Sequence, residues 1–515
     1  MRSFQFSFLQ TLSLTVASLC SLLLLAPALA AEGETYSLVL SGGRVIDPET
    51  GLDAIRHVGI AGGKILAVSE QPLSGEEVIN VEGLVVAPGF IDLHSHSPTS
   101  LGQDYQLQDG VTTALELEAG SFPSNAYGER IEGRARTNYG SSAGYIWARL
   151  RVKQGVEMIH VTSTPSIIGW KGILSAVRKL WSDERPGFSA ALDADERQEI
   201  LALIDADLTR GALGIGLALD YVSEGVDSAE LAALFDLAGK REVPIFVHVR
   251  RGMAGDPYGL QEILAEAKRT GTSVHICHIS HNAINNLEFF LAEIRRARAE
   301  GVDVTTEMFP YNAGSVYISA AAYKRNWREV YDSDYGDVEW AATGERLTEK
   351  TFREYQKNQP LGQIHNHYVD EEWTRRALVE PGVMVVSDLL PMESADLNVA
   401  PHNNSFSKVL ARYVREEQLL DLPTALAKMS LLPAQRLETL APAFKHKGRI
   451  QVGADADITV FDADAILDKA TYANPYQVAE GIIHVLVNGV PVLRDGKLRA
   501  EVYPGERLTT LTNLD

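Results

Sequence analysis

The sequence predicts an α/β protein, a (β/α)8 TIM barrel carrying a small β-sandwich domain built from both chain ends. Three observations predict it. Short apolar strands separated by Gly pairs fill residues 36–87, strand-like and helix-like stretches alternate over 88–440, and the short-strand pattern returns over 441–505. Strand and helix alternating over such a length call for a parallel sheet covered by helices, most economically a closed barrel.

The elements follow in order. "YSLVLSGGRVID", "HVGIAGGKILAVSE" and "EVINVEGLVVAPGF" are apolar runs bounded by Gly and polar turns, and read as strands. Beyond residue 88, "GVTTALELEA", "GALGIGLALDY", "VPIFVHVR", "SVHICHIS", "VDVTTEMFPY" and "VMVVSDLL" are strand-like. "SAELAALFDLAGKR", "LQEILAEAKRT" and "LEFFLAEIRRARAE" space their apolar residues as helices do. Residues 325–370, rich in Trp, Tyr and charge, have no βα reading and are expected to form a lid or an inserted helical excursion. "KGRIQVGADADITVFD" and "GIIHVLVNGVPVLRDGKL" complete the terminal β domain.

Arg2, the Leu-rich run "SLLLLAPALA" and the small residues Ala28 and Ala30 mark residues 1–30 as a secretory signal peptide, with a membrane anchor as the competing reading. Periplasmic localisation follows as an expectation. Cleavage removes Cys20 and leaves Cys277 alone, so the fold rests on its core without an intrachain disulfide. A formal charge of −21 argues against a nucleic-acid partner, and no membrane partner is expected after cleavage. Whether the chain forms a homo-oligomer stays open.

The chemistry starts at "FIDLHSHS", where two imidazoles, His94 and His96, follow a short strand. Polar residues at the carboxyl ends of barrel strands face the active site. His248 ends "VPIFVH", His278 ends "SVHICH" and Asp388 ends "VMVVSD". Four imidazoles and a carboxylate converging from separate strands predict a divalent-metal site holding one or two ions, with zinc suited to neutral nitrogen plus carboxylate. In "GVTTALELEAG", period two puts Glu116 and Glu118 on one face and Leu115 and Leu117 on the other. Two inward carboxylates need a metal or a partner. Glu118 is therefore the candidate bridging ligand, with Glu116 behind it or as the alternative. His275 is expected on the opposite face from His278, packed under a helix, and His365, His367 and His402 are expected as surface histidines, with His402 overhanging the mouth as the alternative.

"APGFIDLHSHS", the later histidines and aspartate, and the closing "KGRIQVGADADITVFD" resemble the amidohydrolase superfamily. "HICHIS", "FPYNAGS", "SFSKVLARYVREE" and "PAQRLE" narrow the resemblance to N-acyl-D-amino-acid deacylases, the D-glutamate branch among them. The resemblance implies His94 and His96 on the more buried metal, His248 and His278 on the second, and Asp388 as ligand and proton shuttle. It implies that an acidified water attacks an amide carbonyl and that Asp388 passes the proton to the leaving amine. Many members bridge their metals with a carboxylated lysine, for which Lys171 is the nearby candidate, and deacylases of this branch often place a cysteine where this chain has Ala119. Tyr221 matches a tyrosine that helps hold the carbonyl. The usual carboxylate-binding arginine and lysine are replaced within "APHNNSF" and "HISHN". Arg250 is the expected substitute, ahead of Arg251 and Lys408. The implied substrate is a small N-acyl amino acid, with a cyclic amide or dipeptide as the alternative and a catalytically silent binding homologue as the reading of another class.

Overall fold

The computed structural model describes residues 36–179, 186–395 and 399–511. The expected signal peptide lies outside them. Eight parallel strands pair in chain order: β1 (Phe90–Asp92), β2 (Val111–Ser121), β3 (Asn138–Gly144), β4 (Ile215–Ala218), β5 (Ile245–His248), β6 (Val274–Ile276), β7 (Val304–Met308) and β8 (Val383–Val385). The ring closes just beyond β1 and β8. Ser95 bridges Leu389 in parallel, and the His96 N–H donates to the Leu389 carbonyl at 2.8 Å. Asp92 adds a side-chain tie, accepting from the Ser387 N–H at 3.0 Å, from Ser387 Oγ, and from the His94 N–H at 3.2 Å.

Ile91, Leu93, Leu115, Leu117, Phe246, Met384 and Val386 form one buried cluster. These residues come from opposite sides of the ring, so they meet through its lumen, which is a packed core. The alternate residues Ile245, Val247, Val274, Ile276, Val383 and Val385 face the helices outside. The helix Ser228–Arg241 shows why these segments dock: Leu231, Leu234, Phe235 and Ala238 bury one stripe, and Asp227 caps it by accepting from the Glu230 N–H.

The two chain ends build one nine-stranded sheet, joined where Ile458–Phe461 pairs antiparallel with Val85–Pro88. Its own core includes Leu38, Leu40, Val58, Ile60, Ile458 and Leu486. The segment expected as a lid or helical excursion combines the helices Trp327–Tyr331 and Glu349–Asn358 with a small antiparallel sheet. It begins earlier than expected, with strands Gly314–Tyr317, Val338–Trp340, Glu345–Arg346 and Gln363–Asn366. Tyr323, Trp327, Tyr331, Trp340 and Phe352 pack beneath it, which is what its aromatic richness is for. Among the described residues no helix is long and apolar enough to cross a membrane.

Candidate metal centre

Glu118 sits among four imidazoles at the carboxyl ends of the strands. Its Oε1 accepts from His248 Nδ1 at 2.8 Å and His278 Nε2 at 2.9 Å, and its Oε2 lies 3.3 Å from His94 Nε2 and 3.6 Å from His96 Nε2. Asp388 Oδ1 lies 3.4 Å from both His94 Nε2 and His96 Nε2. All six residues expected at the centre are thus brought together. Tyr221 follows β4 in the short turn Leu219–Val222, its ring centre 5.3 Å from that of His248 in an edge-on arrangement.

Backbone conformation brings two of these side chains inward. His278 has φ 30° and Asp388 φ 51°, both in the left-handed region that non-glycine residues seldom occupy. The alternation expected for β6 therefore fails at its end. His275 faces the lumen beside Phe246, contrary to the expectation that it packs under a helix, and His278 turns in as well because its φ reverses the chain's course. The alternation of β2 fails too. Its ladder with β3 breaks between Glu116 and Ser121, and Leu115 and Leu117 join the lumen cluster. Glu118 reaches the four imidazoles, while Glu116 passes behind His96 and accepts from His96 Nδ1 at 2.6 Å.

Several partners had no sequence expectation. His160 Nε2 donates to the same Glu116 oxygen at 2.7 Å. Glu307 accepts from His94 Nδ1 at 2.6 Å and from His275 Nε2 at 2.9 Å. His281 stacks on Phe309 with ring centres 3.9 Å apart. The signal for Glu307 was present, an acid near the end of the strand "VDVTTEM", whereas His160 lies in a loop no periodicity could place. His402, expected at the surface, is buried and donates from Nδ1 to the Asp388 carbonyl at 2.7 Å. His365 is likewise buried, bonded to Ser315 Oγ at 2.7 Å, and His367 pairs with Glu339 at 3.2 Å.

Arg250 is a correction. Strand β5 ends at His248, so the expected shared face with His248 does not extend to residue 250. Its guanidinium is held by Glu262 and by the Ser223 and Val226 carbonyls. Arg251 lies over the Tyr331 ring instead, its side chain 8% exposed. It shares Asp220, at 3.5 Å, with Arg325 of the inserted sheet region, at 2.8 Å. Lys171 is an exposed helix residue near Glu196, away from the centre, and Lys408 lies over Tyr311.

The electrostatics suit a cation. Burial opposes charge on every member, yet His96 and His160 hold Glu116 down at about 2, and His94 and His275 hold Glu307 at about 2. Against the same burial, Glu116 and Asp388 lift His96 to about 10. Burial, with Arg251 and His278 adding to it, lowers His248 to about 4. Four buried carboxylates hold their charge beside imidazoles whose Nε2 atoms nearly meet, 3.1 Å apart for His94 and His96. Neutral nitrogen plus carboxylate is a donor set that fits one or two divalent ions, with His94, His96, Glu118 and Asp388 on one side and Glu118, His248 and His278 on the other.

The chain is similar over most of its length to known proteins. The sequence profile described as "Amidohydrolase family" matches residues 206–493. An N-acyl-D-glutamate deacylase of Alcaligenes xylosoxydans xylosoxydans is 31% identical over 89% of this chain and 94% of its own. A D-aminoacylase of the same organism is 25% identical over 90% and 96%. The crystal structure of the N-acyl-D-glutamate deacylase of Bordetella bronchiseptica, complexed with zinc and a phosphonate mimic of the tetrahedral intermediate, matches with a TM-score of 0.75 and 25% identity. That match covers 92% of this chain and all of that one. With a family profile matching more than half of its length and a relative 31% identical over nearly the whole of both chains, the chain belongs to the amidohydrolase family.

Proposed function

We propose that the protein is a zinc-dependent hydrolase that removes the acyl group from N-acyl-D-amino acids. The observation that carries this is Glu118 flanked by four imidazoles with Asp388 facing two of them, in a chain similar throughout its length to N-acyl-D-amino-acid deacylases. His94, His96, Glu118, His248, His278 and Asp388 would hold the metal. A divalent ion there supplies Lewis-acid polarisation of a carbonyl and acidifies water. Asp388, held well below the usual carboxylate range because His94 and His96 outweigh its burial, is the base that takes a proton and delivers it to the leaving amine. Tyr221, beside His248, orients the carbonyl. Arg251, with Arg325 beside it, takes the substrate carboxylate: two guanidiniums share the single carboxylate of Asp220. The Arg2-led leader supports export to the periplasm, which N-terminal sequencing of the mature protein tests.

The test of function is amine release by zinc-loaded protein from paired N-acetyl-D and N-acetyl-L amino acids, glutamate included. Turnover of the D series alone is expected. Turnover of cyclic amides or dipeptides in its place would overturn the deacylase reading.

A further inference from the structure

The helix Gly169–Lys179 turns its small residues to the protein and its large apolar residues to solvent. A Cβ on Gly172 would meet the Gly155 carbonyl oxygen at 2.4 Å, and Ser175 and Ala176 are half-buried. Trp170, Ile173 and Leu174 stand at the i, i+3 and i+4 spacing that makes one stripe, and they are 79%, 47% and 56% exposed. A hairpin pairing Val156–Glu157 with Ser166–Ile167 leads into the helix; Ile167 at its end and Val161 in its loop are exposed as well. Among the described residues, no run of fourteen elsewhere exposes more than two large apolar side chains.

The same segment reverses the sign of the chain's charge. No Asp or Glu occurs from Met158 to Ser182, whereas Lys171, Arg178 and Lys179 fall within that stretch of sequence. The formal charge of −21 on the whole chain conceals this. Lys171 keeps 58% of its side chain exposed; its Nζ lies 3.2 Å from the Val152 carbonyl and 3.4 Å from Glu196, which Lys153 already holds at 2.6 Å.

A contiguous exposed stripe of Trp, Ile and Leu marks a surface that something covers. A helix with Trp and aliphatic residues on one face and lysine and arginine in the same stretch suits the plane of a bilayer interface. The apolar face enters the boundary of the acyl chains, and the cations meet anionic headgroups. We propose that the outward face of Gly169–Lys179, together with Ile167, docks on an anionic phospholipid surface. The acidic remainder of the chain is repelled by the same surface, so the docking is oriented. His160, in the hairpin loop, donates to Glu116 behind His96, which puts the docked face at the end of the barrel that carries the metal centre. This replaces the expectation that no membrane partner remains after leader cleavage, and it is independent of the substrate reading above.

The test sediments the mature protein with vesicles of phosphatidylglycerol mixed into phosphatidylcholine, and with vesicles of phosphatidylcholine alone. Binding to the anionic vesicles should be about tenfold stronger or more, and should weaken as salt rises above about 0.1 M. The double substitution Trp170→Ser, Leu174→Ser should weaken it about 10- to 100-fold, with the melting temperature as the control for folding. Lys171→Glu should weaken binding to the anionic vesicles alone. Val452→Ser, which removes a side chain 68% exposed beside the core of the terminal β domain, should leave binding as it was. Absence of binding to the anionic vesicles, or binding that the double substitution leaves intact, would overturn the proposal. So would a dimer, seen by sedimentation velocity without lipid, that the double substitution dissociates, because the stripe would then be covered by a second copy of the chain.

Discussion

Replacing Arg251 by Met is the sharpest probe of how substrate is held. The Arg251 side chain is only 8% exposed and lies 3.5 Å from Asp220. A substrate carboxylate at a similar distance gains about 5 kcal/mol of gross Coulomb energy at an effective dielectric constant of about 20. Desolvation and the competing charge of Asp220 reduce this, and truncating one partner of such a pair typically costs about 2–5 kcal/mol. The variant should lose about 30-fold to a few thousand-fold in kcat/KM for an N-acyl-D-amino acid. It should lose little for the matching carboxamide, which carries no charge there. Asp220 keeps Arg325 at 2.8 Å in the variant, so the mouth retains one ion pair and the melting temperature serves as a control. The assay is the ratio of acid to amide turnover. Arg250→Met is the paired control: its guanidinium is fixed by Glu262 and two backbone carbonyls, so the ratio should stay at its original value. An unchanged ratio in Arg251→Met, or a collapsed one in Arg250→Met, would refute the assignment.

Asp388→Asn should lower kcat about 100- to 10,000-fold while zinc content changes little; near-normal kcat would remove it as the proton carrier. Because Glu116 and Asp388 lift His96 to about 10, from an ordinary 6.5, metal must displace protons at neutral pH and its affinity should rise with pH toward 10. Calorimetry in buffers of different ionisation enthalpy should report proton release, and pH-independent binding would contradict it. For the metal-free protein the sign is the reverse: a raised imidazole stabilises fully below about 6.5 and loses that contribution as pH rises through about 10, so its melting temperature should fall over that window. Asp92→Asn leaves one acceptor oxygen for three donors at the barrel seam, and a loss of about 2–4 kcal/mol in denaturant unfolding is expected; an unchanged midpoint would show that the seam is held elsewhere.

The barrel and the six inward residues were legible because strand ends leave a strong signature: apolar runs closing on His, His, His and Asp. What the sequence could not show is where a strand's alternation stops. Period two holds only while the ladder holds, and the β2 ladder breaks after Glu116 while β6 ends at Ile276. Three expectations drawn from that period went astray: Leu117 on the face away from the lumen, His275 under a helix, Arg250 beside His248. The loop-borne partners His160, Arg325 and His402 carry no periodic signal at all. They become site residues only when the chain folds back from tens of residues away, which no local pattern encodes.

The two positive φ values bear on whether such a barrel could be a silent binding protein. A non-glycine residue in the left-handed region costs of order 1 kcal/mol or more, and His278 and Asp388 both adopt it at strand ends. A third conformational cost lies in the interrupted β2 ladder, whose lost pairing lets Glu118 reach the centre. Their common product is a convergence of carboxylate and imidazole lone pairs within 3.6 Å. Like charges so placed repel unless protons or a cation lie between them. Protons would leave the centre's stability falling as pH rises, while a divalent ion removes that dependence and uses every strained residue as a ligand. The geometry is therefore economical for a metal enzyme and wasteful for a scaffold, and the difference is measurable as the pH dependence of melting with and without zinc.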